Sequence, residues 1–166
     1  KIESLEFAPD LVWVKRRDAT NYHILSDTIR GAGNYLVSNT TDAESSGGSQ
    51  LINGFLKNGF QVGTENAVNN GSGTYVAWCW KAGGSSNTFN IDGTGYATAA
   101  AAGLDGGTID PTGASINTEA GFSIITYTGN GTAGANVAHG LGKKPAWIII
   151  KARSVGDKWF VYHHKA

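Results

Sequence analysis

Apolar and polar positions alternate over short runs along this chain, and turn residues separate the runs. In "TYVAWCWK", Tyr75, Ala77 and Cys79 fall on one side of an extended strand, and Val76, Trp78 and Trp80 on the other. Both sides are apolar, which predicts a central strand covered on both faces. "FSIITYT" and "AWIIIKA" read the same way. The strand-like runs together cover 11–15, 22–26, 34–37, 51–56, 59–62, 74–81, 121–127, 146–152 and 158–163. Turn chemistry lies between them: Asn-Gly at 53–54 and 58–59, "NNGSG" at 69–73, and "GNG" at 129–131.

Two stretches break the pattern. Residues 38–50 form a polar loop, with room for one short helical turn. Residues 82–120 are rich in Gly, Ala, Thr and Ser, and read as a connector or as a long excursion with short edge strands. One stretch echoes another. "PDLVWVKRRDATNYHILSD" from Pro9 aligns without gaps on "PAWIIIKARSVGDKWFVYH" from Pro145, matching Lys15 to Lys151 and Arg17 to Arg153. Val12 and Val14 fall opposite Ile148 and Ile150. In each, a proline opens a strand expected to be buried, a basic pair ends it, and after a short turn a second strand with aromatic or aliphatic residues returns. A hairpin used twice fits an interaction or structural module better than a single catalytic pocket. The expected organisation is a β-rich module over 1–81, the connector or excursion over 82–120, and a β-rich segment over 121–166. That last segment echoes 9–27 and can pack on the first module as one domain.

Composition agrees with strands. The 166 residues include 24 Gly and no Met, and the apolar set is dominated by Val, Ile and aromatics rather than by helix formers. With 13 basic and 13 acidic residues the chain carries no whole-chain basic footprint for nucleic acid. No run approaches the roughly 20 apolar residues of a membrane-spanning helix, and the first residues lack the apolar core of a signal peptide. The chain starts without Met and stops after a strand-like run, so it is expected to be part of a longer polypeptide. Cys79 is the single cysteine, which rules out an intrachain disulfide and predicts a buried thiol.

The candidate chemistry reduces to turns and core residues. Gly129, Gly131 and Gly134 spell G-x-G-x-x-G after a strand-like run. A dinucleotide loop needs a helix starting at its third glycine and an acidic residue about 20 positions on. Here "ANVAHGLGKKP" follows, and no acidic residue intervenes before Asp157, so the stretch is read as a turn with positive φ at Gly129 and Gly131. "HGLG" at 139–142 lacks the G-x-S-x-G partner of an esterase; His139 is expected to bond neighbouring backbone. His163 and His164 are adjacent on a strand and should point to opposite faces, and His23 belongs to no ligand pattern. Asp92, Asp105 and Asp110 sit beside glycines without EF-hand spacing, and Asp-Gly is a plain turn dipeptide. No catalytic, cofactor-binding or metal site is therefore assigned.

Lys15, Arg16 and Arg17, with Lys143 and Lys144, are read as solvated strand ends or as contacts to an acidic partner or anionic glycan. Trp13, Trp78, Trp80, Trp147 and Trp159 all lie in strand-like runs and are mostly core, although an exposed one would suit stacking on a sugar. Asn39, Asn70 and Asn130 begin N-x-S/T patterns that carry no weight without a secretory context.

Taken together, "FAPDLVWVKRRD", "DTIRGAGNYLVSNTTDAE", "YVAWCWKAGG", "AGFSIITYTGNGTAG" and "VAHGLGKKPAWIIIKARS…DKWFVYHH" make the chain similar to a known family. It resembles a repeated domain of unknown function in large structural and tail-fibre-like proteins of bacteriophages, especially marine and cyanobacterial ones. The resemblance covers nearly the whole chain, including 90–123. It implies a virion component (a fibre, appendage or capsid decoration), and it transfers no catalytic residues.

The expected fold is an all-β, jelly-roll-like antiparallel sandwich with "TYVAWCWK", "FSIITYT" and "AWIIIKA" at its centre. The expected function is non-enzymatic: virion assembly or host-surface attachment. Its partners would be other virion chains, further copies of itself and a host cell-surface glycan, with no nucleic acid, no membrane insertion and no cofactor. A carbohydrate-binding module is the alternative. A polysaccharide depolymerase comes third, since it needs two carboxylates converging in a groove.

Overall fold

The computed structural model describes residues 1–166. The chain is all-β, and its one helical element is the short 3-10 turn Gly48–Gln50. The strands are β1 (Ile2–Glu3), β2 (Leu11–Arg16), β3 (His23–Asp27), β4 (Asn34–Val37), β5 (Ser45–Ser46), β6 (Ile52–Leu56), β7 (Gly59–Val62) and β8 (Tyr75–Trp80). They continue with β9 (Phe89–Ile91), β10 (Thr94–Tyr96), β11 (Pro111–Asn117), β12 (Phe122–Tyr127), β13 (Trp147–Lys151) and β14 (Trp159–His163). Two compact units result. One comprises residues 1–80 and 145–166, the other residues 81–144.

The first unit is sandwich-like. A five-stranded antiparallel sheet, β5-β4-β3-β2-β8, packs its inner face on the residues of a three-stranded antiparallel sheet, β1-β7-β6. Alternation decides what meets. Val12 and Val14 of β2, Ile24 of β3 and Val37 of β4 point inward, where they join Ile52 and Phe60 of β6–β7 together with Leu51, Ala67 and Val68. Val12, Val14, Ile24, Ile52 and Phe60 are each at most 2% exposed. Val, Ile and Phe fill such a layer because branched and aromatic side chains pack well on a pleated surface. The β13–β14 hairpin belongs to this unit but forms a separate two-stranded sheet.

The second unit contains the four-stranded sheet β10-β9-β11-β12, in which β9 and β11 run parallel and the other pairs antiparallel. Its core is small: Phe89, Leu104, Ala114 and Ile116. Polar side chains compensate for that. Asn90 and Ser115 are 0% exposed. The Asn90 carboxamide accepts from the Asn87 N–H and donates to the Asn87 and Ala114 carbonyls. The Ser115 hydroxyl accepts from the Gly83 N–H and donates to the Gly84 carbonyl. Each buried polar atom thus orders loop backbone that the sheet ladders leave unpaired. Residues 82–120, read from sequence as a connector or excursion, hold β9, β10 and β11.

The three runs expected at the centre of sheets all sit elsewhere. β8 and β12 are edge strands of their sheets, and β13 has β14 as its only neighbour. The apolar outer side of β8 reflects an aromatic face rather than a second covering layer. Trp78 is 45% exposed there, with its ring 5.5 Å from that of Trp13.

Candidate interaction surface

Seven of the twelve exposed large apolar residues lie on the two strands of the hairpin β13–β14. Directly paired residues share a face, so Ile148–Tyr162 and Ile150–Phe160 lie on one side, and Trp147–His163 and Ile149–Val161 on the other. Every apolar member of these pairs is exposed, from 39% at Ile148 to 61% at Val161. Soluble chains rarely leave so contiguous an apolar area open unless something binds there. A lone two-stranded hairpin is also marginal in water.

What holds the hairpin is its turn. The Trp159 indole N–H donates to the Val37 and Thr40 carbonyls at 3.2 and 3.0 Å. The Asp157 N–H reaches the Thr41 carbonyl, and the Glu44 N–H reaches that of Arg153. A charge network backs these bonds. Arg153 binds Glu44 with two nitrogens, at 2.7 and 3.0 Å, and Glu44 also takes Arg30 Nη1 at 3.1 Å. Arg30 in turn pairs with Asp27 and donates to the Leu25 carbonyl. The anchored end is therefore polar and satisfied, while the distal end presents bare apolar faces.

Burial pushes the Glu44 carboxyl up, but the hydrogen bonds from Arg153 and Arg30 outweigh it and hold it below its ordinary value. A depressed carboxylate pKa stabilises the fold above the unfolded value and loses that contribution as pH falls through the folded value. The hairpin turn is thus expected to loosen as pH falls below about 4, where free glutamate protonates. Trp159 fluorescence should report it, shifting to the red on acidification, and Glu44→Gln should remove the acid-dependent step.

The residues singled out by the sequence make mostly local contacts within their own unit. Residues 128–134 are a loop, and no helix starts at Gly134. Positive φ occurs at Gly131 and Gly134 but not at Gly129, and the Asn130 side chain closes the turn by accepting from the Thr132 N–H. In "HGLG", the His139 ring accepts from the Leu141 N–H. Gly140 lies so close to the core that a Cβ would come within 2.5 Å of Ile116. His139, Gly106, Gly107, Asn136 and Lys143–Lys144 line an open hollow of the second unit. Asn136 there bonds Thr108 through both its backbone and its side chain, which stitches two loops together.

His163 and His164 do not face apart. β14 ends at His163, so strand alternation stops there, and the two rings lie 4.9 Å apart. His23 accepts from the Trp13 indole, and burial, helped by Lys15, holds its pKa below the ordinary value. Asp92 and Gly93 form the β9–β10 turn with φ of 51° and 86°, and the Asp92 carboxylate binds the Thr118 N–H and hydroxyl. No three His, Cys, Asp or Glu side chains gather in metal-binding fashion. Cys79 is half-buried on the core side of β8, less enclosed than expected, and burial pushes its thiol pKa up. Arg16 pairs with Asp18. Glu44 has no local signal in the sequence, because its partners Arg30 and Arg153 lie 14 and 109 residues away; the match of Arg17 to Arg153 is the one pointer the sequence offers.

No curated protein and no solved structure matches the chain. A family match spans residues 1–166, the full length of the sequence. The chain belongs to the family described as "Domain of unknown function (DUF7483)".

Proposed function

We propose that the chain is a non-enzymatic structural module of a bacteriophage virion, in a tail fibre, appendage or capsid decoration, where it acts in assembly or host-surface attachment. The observation that carries the assembly role is the β13–β14 hairpin, fixed at its turn and apolar on both open faces. The virion setting rests on the sequence resemblance. The partners are other virion chains, further copies of this one among them. The direct test uses a phage encoding the chain, with a photo-crosslinking residue in place of Phe160. It should join the chain to another virion protein, whereas the same residue at the exposed loop position Gly71 should not. Purified particles that lack the chain, or equal crosslinking at both positions, overturn the reading.

One feature supports carbohydrate binding as a second reading. Trp78 is exposed on the outer face of β8 beside Trp13, and an open indole face suits a sugar ring. Glycan-array binding lost in Trp78→Ala would favour this reading over assembly. Cleavage of a host polysaccharide, lost on replacing one Asp or Glu, would overturn the non-enzymatic assignment.

A further inference from the structure

The two hairpins correspond more deeply than their sequences suggest. With the step of 136 from Pro9 to Pro145, every β2–β3 pair maps onto a β13–β14 pair. Val12–Ser26 becomes Ile148–Tyr162, Val14–Ile24 becomes Ile150–Phe160, and Lys15–His23 becomes Lys151–Trp159. Bonds outside the ladders map too. The Thr28 N–H donates to the Asp10 carbonyl and the His164 N–H to that of Ala146, both at 2.9 Å. The Lys15 and Lys151 ammoniums each bond the carbonyl of the next residue.

The difference lies in what covers them. The face holding Val12, Val14 and Ile24 is at most 2% exposed, yet its counterpart of Ile148, Ile150 and Phe160 is 39–57% exposed. In this chain the cover comes from residues 34–80. β8 pairs along β2, β4 pairs along β3, and β6–β7 with Ala67 and Val68 close the face. The matching edges of β13 and β14 are unpaired.

We propose that β13–β14 is the opening hairpin of a second sheet, and that its occupant is a segment of the 31–80 type from a further module of this family. Neighbouring modules then interlock, because the hairpin's turn is anchored on one module while its faces are completed by the next. An intact second copy is a poorer occupant. Its own 34–80 segment already covers its own β2–β3, so an exchange would uncover one hairpin for each it covers. The occupant must be a segment whose own opening hairpin is β13–β14. Sequence differences follow the same logic. Asp27 and Arg30, a buried ion pair, become His163 and Ala166, so both charges are absent together. Bulk rises inward, as Ile24 becomes Phe160 and Ser26 becomes Tyr162, which calls for smaller residues in the occupant than Phe60 and its neighbours.

This inference rests on the assembly role of the hairpin but not on the virion setting. The test extends the full chain after Ala166, the counterpart of Arg30, with a second copy of residues 31–80. A second version also carries Ile148→Val, Ile150→Val, Phe160→Ile and Tyr162→Ser, which restores the face that 31–80 covers. Amide hydrogen exchange is read on dilute protein at Ile148, Ile150, Phe160 and Tyr162. Exchange in the restored version should slow roughly 100-fold relative to the unextended chain, the mark of entry into a cooperative unit. The β2–β3 amides should be unchanged, confirming that the first sheet is intact. No slowing in either version overturns the proposal. So does an unextended chain that already protects these amides by self-association, which would make a second copy the occupant. Purified particles that lack the chain remove the virion setting and leave the exchange result standing.

Discussion

Replacing Phe60 with alanine is expected to cost the first unit about 3–5 kcal/mol of stability, measured by chemical denaturation. Phe60 is 1% exposed and sits where the β6–β7 hairpin meets Val12, Val14 and Ile24. Truncation removes the ring's transfer energy and leaves a void between two sheets whose backbones are fixed by their ladders. Collapse is restricted, because β7 is paired on both sides, with β1 and with β6. The internal control is Phe160→Ala, which removes the same ring from a position 57% exposed. In the 166-residue chain that change should stay within about 0.5 kcal/mol. Equal losses at the two positions would mean that the C-terminal hairpin is covered after all.

Arg30→Ala is the second large effect, about 3–5 kcal/mol by the same measurement. The Arg30 side chain is 5% exposed and its partner Asp27 6%, so removal strands a carboxylate that water cannot reach. Asp27 also accepts from the Arg30 backbone N–H at 2.8 Å, which fixes it in place and prevents it from turning outward. Glu44 keeps Arg153 but loses its inner cation. Removing Arg153 instead should cost much less, since its side chain is 43% exposed and pairs of that kind contribute about 0–1 kcal/mol. The buried Arg30–Asp27 pair and the exposed Arg153–Glu44 pair thus belong to one network, joined through Arg30–Glu44, yet differ severalfold in weight.

The same contrast between local and distant partners explains what could be read from sequence. The hairpins 11–27 and 147–163 were legible because alternation, an opening proline and a closing lysine are local signals. The Asp92–Gly93 turn was legible for the same reason, since positive φ selects those residues. Strand position in a sheet was not. Apolar residues on both sides of "TYVAWCWK" looked like double burial, whereas Trp78 is an exposed ring against Trp13. β9 was hidden because its centre is Asn90, a polar residue that is fully buried through bonds to Asn87 and Ala114. The network of Arg30, Glu44 and Arg153 was hidden by separation along the chain, 14 residues for one contact and 109 for the other. The bareness of the second hairpin is not written in its sequence either, since the echo of 9–27 predicts the same buried face and Ile148, Ile150 and Phe160 are exposed.

The most direct measurement of that claim is native-state amide hydrogen exchange on the dilute 166-residue chain, comparing the two hairpins pair by pair. Val12, Val14 and Ile24 should exchange only through opening of the whole first unit. Ile148, Ile150 and Phe160 should exchange through local opening, roughly 100-fold faster or more. Equal protection of the two sets in a monomeric chain would contradict the account, because the C-terminal hairpin would then be a finished part of the fold and not a surface awaiting a partner.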